Sequence, residues 1–305
     1  WGLAYALTLK GSVFPKALMF SVPCAVSTLA LKFFFSSQVG GAETIAGDSE
    51  MAVLGGFTFV LGFLVVFRTQ QAYSRWWEGA SLLQQLRGEW FNAFSCCIAF
   101  TDNSESERPR VKDFEQRLVR LISLLYGVSL LSLAEGRGRT VEVIELASCS
   151  ARSLEYLRAA NDRSEIVLQW IQRLIVQAQK EKIITAEPPI LTRVYGQLGN
   201  GITLLHSARK INEFPLPFPI AQMITFMLTV QWVMTAFVCA TTVRSYIWAG
   251  AFSLMVTASF WGAHCIAEEI EMPFGCDAND LPLKEMQRDL NNSLRELLDH
   301  RARIP

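Results

Sequence analysis

Hydrophobic and polar residues are separated into long blocks along this chain. The runs Pro215–Val243 and Ser245–Ala267 contain no Asp, Glu, Lys or Arg, and Arg244 is the one charged residue between them. A helix needs about 20 mostly apolar residues to cross a bilayer. The two runs therefore predict membrane-spanning helices joined by a tight turn.

Two shorter apolar runs lie nearer the N-terminus. Ala17–Leu31 is bounded by Lys16 and Lys32, whose long side chains can reach the membrane surface. Met51–Phe67 is uncharged and ends at Arg68. Each run predicts a further span, with a buried helix in a soluble core as the alternative.

The charges that flank these four runs predict their orientation. The loop from Ser36 to Glu50 has no Lys or Arg and carries Glu43, Asp48 and Glu50. The opposite ends are basic, with Lys10, Lys16, Arg68, Arg75, Arg87, Arg209 and Lys210. The positive-inside rule then places both termini and the middle of the chain on the cytoplasmic side or its organellar equivalent.

The middle segment is polar but keeps a helical period. Apolar residues recur at this spacing in two stretches, one containing Phe114, Leu118 and Leu125 and the other Ile171 and Ile175. The sequence therefore predicts an all-α membrane protein with four transmembrane helices and an extramembrane helical bundle. The predicted parts are 12–80 with the first two spans, 81–214 with the bundle, 215–272 with the last two spans, and 273–305 with an acidic turn and an amphipathic docking helix over Leu283–Leu298.

Composition excludes several classes of function. The formal net charge is zero, so there is no basic surplus to bind nucleic acid. The seven cysteines form no CxxC or Cys/His ligand spacing, which argues against a disulfide framework or a zinc site. Three scattered histidines, with no phosphate loop or paired metal motif, make an enzyme the least favoured class. No cofactor is expected to be required.

The second predicted span carries an aromatic stripe. Phe59, Phe63 and Phe67 follow one another at intervals of four residues and so lie along one face of a helix. Such a stripe can face lipid, pack against another helix, or line a pore. A pore would need the stripe repeated around an axis by several subunits, where an apolar ring gates by dewetting and ring edges present partial positive charge.

Three motifs resemble the bestrophin family. FVLGFLVVFRTQQAYSRWWEG, at Phe59–Gly79, resembles the family's apolar pore helix with its basic, Trp-rich end. PFGCDANDLPL, at Pro273–Leu283, resembles the turn and acidic segment that follow the last span. The shorter Gly11–Phe14 precedes the first span. The resemblance covers essentially the whole chain.

This resemblance implies a pentamer of identical subunits that conducts small anions across a membrane. Chloride is the expected ion, with nitrate and bicarbonate as alternatives, and membrane lipids are the other partners. By position, the family's neck residues are similar to Phe59, Phe63 and Phe67, and its lower aperture is similar to Ile190 or, one turn on, Val194. The C-terminal motif is closer to the bacterial and chloroplast branch, so a thylakoid membrane and a plasma membrane are both expected locations.

The acidic turn is similar to the calcium clasp of the animal members. Asp277 and Asp280 match its two carboxylate positions, but Cys276, Ala278 and Asn279 replace the denser acidic run. Calcium takes six to eight oxygen ligands. Calcium binding is therefore not favoured, and capping of the following helix is the alternative role for this turn.

Ionisable residues at the span ends suggest further roles. Arg68 and Arg75 could raise the anion concentration at a pore mouth, or anchor the helix at the interface with Trp76 and Trp77. Packing is the expected role of His264, and salt bridges to Arg75 or another basic group are expected for Glu268, Glu269 and Glu271. Two alternative functions stay open: a cation channel of the same fold, and a non-conducting subunit of a larger membrane assembly.

Overall fold

The structure, a computed structural model, describes residues 8–38, 48–102, 104–134, 141–146, 150–275 and 277–303. These ranges are helical apart from short connections and one isolated bridge between Thr101 and Ile184. The helices are α1 Phe14–Gln38, α2 Asp48–Ala99, α3 Arg108–Leu133, α4 Ala151–Ala159, α5 Arg163–Lys180, α6 Pro188–Glu213, α7 Phe218–Thr242, α8 Tyr246–Glu271 and α9 Leu283–Leu298, followed by the 3-10 turn His300–Arg303. The predicted all-α fold is confirmed. Glu43, part of the predicted acidic loop, lies outside the described residues.

Five of the described helices are long and apolar enough to cross a membrane: α1, α2, α3, α7 and α8. They differ in how much of their apolar surface is covered. The most apolar window of α3 is 67% buried inside the protein, whereas that of α1 or α2 is 17% buried. The chain is an integral membrane protein, and the predicted number of four crossings remains a prediction.

The chain divides into two compact units. The first unit comprises the described residues of 1–77, 214–273 and 277–279, and thus α1, the first part of α2, α7 and α8. In this unit α1 packs along α8 through small side chains, among them Ser21 and Cys24 on α1 and Ser253 and Thr257 on α8, all buried. Small residues let membrane helices approach closely where lipid offers no hydrophobic gain.

The core of the first unit fixes which side of α2 faces inward. Leu61 and Val65 are buried against Ile224, Leu228 and Trp261. The Trp261 ring also stacks on Phe20 of α1, with centroids 3.8 Å apart. These side chains fill the space between the helices of one subunit.

The second unit comprises the described residues of 78–213, 274–276 and 280–305. Its central side chain is Trp90, from the last part of α2, which is fully buried. Trp90 donates from Nε1 to the carbonyl of Leu198 at 3.4 Å and meets Tyr126 edge to face. A Cβ at Gly201 would overlap the Trp90 indole, so α6 can approach this ring only because residue 201 is glycine.

Helix α9 packs on α3 within the second unit. Its apolar residues Leu283, Leu290 and Leu294 are buried. Gln287 donates from Nε2 to the carbonyls of Ser123 and Glu142, each at 3.1 Å. These two hydrogen bonds from Nε2 tie the middle of α9 to α3 and to the chain at Glu142.

Candidate functional site

The aromatic stripe lies on the face of α2 that the first unit leaves uncovered. Phe59 is 76% exposed, Phe63 65% and Phe67 40%. The opposite face carries the buried Leu61 and Val65. Because the stripe advances about 40° at each step of four residues, it turns gradually from the centre of the exposed face at Phe59 to its edge at Phe67.

Small and uncharged residues continue this exposed face of α2 towards its N-terminus. Gly55 and Gly56 are exposed, and a Cβ at either would meet nothing within 4 Å. No charged residue lies between Met51 and Phe67. The face is therefore apolar and carries no fixed charge.

Arg68 lies on the buried face of α2. It is 6% exposed, and Nη1 lies 2.9 Å from Nδ1 of His264 on α8. Nη2 lies 3.4 Å from a carboxylate oxygen of Glu271 and 3.7 Å from one of Glu268. Its charge is therefore balanced locally by two carboxylates.

His264 is buried between charged side chains of the same unit. Nη1 of Arg68 lies 2.9 Å from Nδ1 and 3.4 Å from Nε2 of the imidazole ring. Nε2 also lies 3.2 Å from Oε1 of Glu268. Both ring nitrogens thus have partners, and packing is the role that the structure gives this buried histidine.

The acidic end of α8 joins several elements of the first unit. Glu269 forms an ion pair with Lys16 of α1. Glu271 accepts from the backbone N–H of Leu216 at 3.0 Å as well as from Arg68. The predicted salt bridges of this cluster are confirmed, with Lys16 and Arg68 as the basic partners. Arg75, the partner named from the sequence, contacts the backbone carbonyl of Glu271.

Arg75 lies two turns beyond Arg68 on α2 and is partly buried. It donates from Nη1 to the carbonyl of Phe214 at 2.6 Å and from Nε to the carbonyl of Glu271 at 3.3 Å. The guanidinium thus ties α2 to the chain entering α7 and to the last turn of α8.

The two candidate aperture residues differ in exposure. Ile190, in the first turn of α6, is 49% exposed, whereas Val194 is fully buried in the second unit. In this arrangement only Ile190 has a side chain available to line a passage.

Asp277 and Asp280 follow the last turn of the first unit's α8. The Asp280 carboxylate lies against Gly275, where a Cβ would be 2.6 Å from Oδ2. Among the described residues, no group of three or more His, Cys, Asp or Glu side chains is placed to hold a metal ion. That calcium is not bound at this turn stays a prediction.

Sequence reasoning missed how Arg68, His264 and Glu271 come together. The signal was present in part, because Leu61, Val65 and Arg68 recur at i, i+4 and i+7 and so share one helix face. His264 and Glu268 likewise lie four residues apart on α8. The sequence pattern does not show which of the two apolar faces of α2 is buried. The packing of α7 and α8 against α2 decides this.

An all-helical integral membrane protein, with an uncovered aromatic face on one long helix, is the class that this fold and site define. The chain belongs to the bestrophin family: residues 2–296 match the family described as Bacterial/Fungal Bestrophin protein. The resemblance seen in the sequence motifs is thereby confirmed.

Individual relatives agree with this assignment. The chain is 25% identical over 294 residues to a voltage-dependent anion channel-forming protein of Nostoc sp., covering 96% of this chain and 90% of the relative. A protein of Mesorhizobium japonicum with the same description is 26% identical over 298 residues, and this match covers 95% of this chain and 87% of the relative. The fold is similar to a bacterial bestrophin homolog from Klebsiella pneumoniae, with a TM-score of 0.73 at 16% identity over 94% of this chain and 99% of that one.

Proposed function

We propose that this chain is the repeating subunit of an anion channel whose narrowest part is lined by α2. The observation that carries the proposal is the exposure of Phe59 and Phe63 on a membrane-spanning helix whose other face is packed. The channel-forming relatives of Nostoc and Mesorhizobium support the same function.

The passage must lie between copies of the chain in this proposal. Leu61, Val65, Ile224 and Leu228 occupy the interior of the first unit, so one subunit has side chains where a pore would run. A ring of identical subunits would instead bring the uncovered faces of α2 around a common axis. Five copies is the number that the family resemblance suggests, and a native mass corresponding to five chains would support it.

The stacked Phe rings would form a dry neck in the closed state. Hydrophobic constrictions of this kind stop ions by excluding water. Ring edges carry partial positive charge and would favour a partly dehydrated anion over a cation. Phe67, which is less exposed, would contribute at the lower edge of the neck.

Two further elements complete the proposed pathway. Ile190 would form a second apolar restriction in the extramembrane bundle, since its side chain is half exposed at the start of α6. Arg75 would contribute positive potential at the basic end of α2, where charges steer ions at a distance. Arg68 would contribute less, because Glu268 and Glu271 balance its charge.

Current from purified protein in planar bilayers tests the function directly. Under asymmetric potassium chloride, the reversal potential should lie near the equilibrium potential of chloride. A reversal potential near that of potassium would identify a cation channel instead. Absence of current from a protein of confirmed assembly would favour a non-conducting subunit.

Substitution of external chloride by nitrate or bicarbonate then ranks the candidate anions. The membrane in which the channel works is a separate question, for which thylakoid and plasma membranes are the two candidates. Fractionation of the source cells with an antibody against α9 would separate them.

A further inference from the structure

A groove lies beside the N-terminal end of α1 within the first unit. Its volume is about 460 Å³, within the range of about 300–1,000 Å³ that is typical of ligand sites. One wall is formed by Ala17 of α1 and by Val13, which directly precedes that helix. The other wall is formed by Ala258, Gly262 and Ile266 of α8. Lys10, Ser12 and Asn279 line the other end.

The groove is elongated along α8. Ala258 and Ile266 lie eight residues apart, about 12 Å along a helix axis. Ala258 is the deeper of the two in the predicted span, and Ile266 lies nearer the end of α8 that carries the acidic cluster. Ser259 also lines the groove, but its hydroxyl donates to the carbonyl of Met255 at 2.8 Å, which leaves little polar surface there.

Its polar end is held in a defined conformation. Gly11 has a φ of 75°, which favours glycine, and a Cβ there would lie 2.9 Å from Oδ1 of Asn279. Asn279 donates from Nδ2 to the carbonyl of Gly11 at 3.0 Å, and its own carbonyl accepts from Trp76 Nε1 at 3.2 Å. The segment that presents Lys10 is thus tied to the basic end of the unit.

The side chains around the groove are apolar and exposed. Leu9, Phe14 and Met19 are all largely exposed. In a chain that spans a membrane, such a surface lies against lipid near the interface. Lys16 is occupied by Glu269, whereas Lys10 is exposed and has no carboxylate partner among the described residues.

We infer that this groove binds a membrane phospholipid, with one acyl chain along α8 from Ile266 towards Ala258 and the phosphate at Lys10. Lys10 offers a cation to the phosphate at the interface. The apolar part of the groove runs from there into the bilayer and offers space for an acyl chain. A lysine near an anionic membrane surface strengthens attraction of a negative headgroup by about fivefold. The bound lipid would stabilise the packing of α1 on α8.

Photolabelling of the intact protein in vesicles of phosphatidylethanolamine and phosphatidylglycerol tests the inference. The probe is phosphatidylglycerol with a diazirine on one acyl chain, and the labelled peptides are identified by mass spectrometry. Label should concentrate on peptides containing residues 10–17 and 258–266. Label spread evenly over all exposed spans would overturn the inference.

Two groove variants give the matched comparison. Ser259→Leu fills the slot and should abolish its labelling, whereas Thr225→Leu places the same new side chain on an exposed part of α7 and should leave the labelling unchanged. Gly262→Ala adds only a Cβ, 3.7 Å from that of Ala17, and should fold while giving a smaller loss. Undiminished labelling in both groove variants would contradict the inference.

The headgroup contact is tested separately. Lys10→Gln should lower labelling by about fivefold, and Lys112→Gln, an exposed lysine of α3, should not. A diazirine-bearing diacylglycerol, which lacks the phosphate, should label the groove weakly. Equal labelling by diacylglycerol and phosphatidylglycerol would overturn the assignment of the phosphate to Lys10.

Discussion

Arg68 of α2 donates to Nδ1 of His264 on α8 at 2.9 Å, deep on the packed side of the aromatic helix. The same guanidinium reaches Glu271, which also accepts from the backbone of Leu216. This cluster fixes the rotation of α2 about its axis, because the Arg68 guanidinium reaches His264 and Glu271 only when it faces α8. With Arg68 turned inward, Phe59 and Phe63 are turned outward.

Replacement of Arg68 by Gln should therefore destabilise the first unit. It leaves Glu271 without its cation, and breaking a buried ion pair costs about 3–5 kcal/mol. Thermal unfolding in detergent should show a clear fall in midpoint. Arg244→Gln, at an exposed arginine between α7 and α8, should stay within about 0.5 kcal/mol. Equal midpoints for the two variants would contradict the role given to Arg68.

Gly201→Ala tests the close approach of α6 to Trp90. The added methyl group must displace a fully buried indole, and overpacking of a core costs about 1–3 kcal/mol. Gly199→Ala provides the control in the same helix, because a Cβ there meets nothing within 4 Å. It should be neutral or gain about 0.5–1 kcal/mol from helix propensity. Unfolding midpoints of the two variants measure the difference.

The sequence predicts features of the fold and the site that rest on local periodicity, and it does not predict those that rest on contacts between distant segments. The aromatic stripe and the docking helix follow from helical periodicity, which is local. The inward direction of Arg68 did not follow, because both faces of α2 are apolar and the choice rests on α7 and α8. The need for glycine at 201 rests on a tryptophan that is distant in sequence. Val194 and Ile190 look alike in sequence, and only packing separates the buried one from the exposed one.

The pair of Asp162 and Arg209 should make the second unit sensitive to acid. Asp162 accepts from the backbone N–H of Ser164 at 2.9 Å, and the hydrogen bond from Arg209 holds the pKa of that carboxyl below its usual range. A lowered pKa in the folded state contributes stability above the unfolded value, about 3.9. That stability is lost as the pH falls through the folded pKa.

Asp162→Asn keeps a good helix cap but loses the charge, so it should flatten this acid dependence. Unfolding midpoints measured from neutral pH down to about pH 3 would show it. Asp113→Asn, at an exposed pair with Arg117, should leave the dependence as in the wild type. A wild-type acid profile in Asp162→Asn would contradict the assignment.

Calcium should not be needed for opening. The acidic turn offers Asp277 and Asp280, and the latter lies against Gly275. Currents in bilayers should therefore be unchanged by a calcium chelator, and Asp277→Ala should conduct like the wild type. A current that the chelator abolishes and added calcium restores would show that this expectation is wrong, and Asp277→Ala should then remove the dependence.

The comparison of Phe63→Ala with Leu64→Ala in single-channel recordings tests the central claim most directly. Phe63 is 65% exposed on the proposed pore face, whereas Leu64 packs against the core of the first unit. Loss of the Phe63 ring from every subunit should widen and wet the neck, so that open probability rises while anion preference is retained. Leu64→Ala should weaken packing and leave gating nearly unchanged. If Leu64→Ala opens the channel and Phe63→Ala has no effect, the aromatic face of α2 does not line the pore.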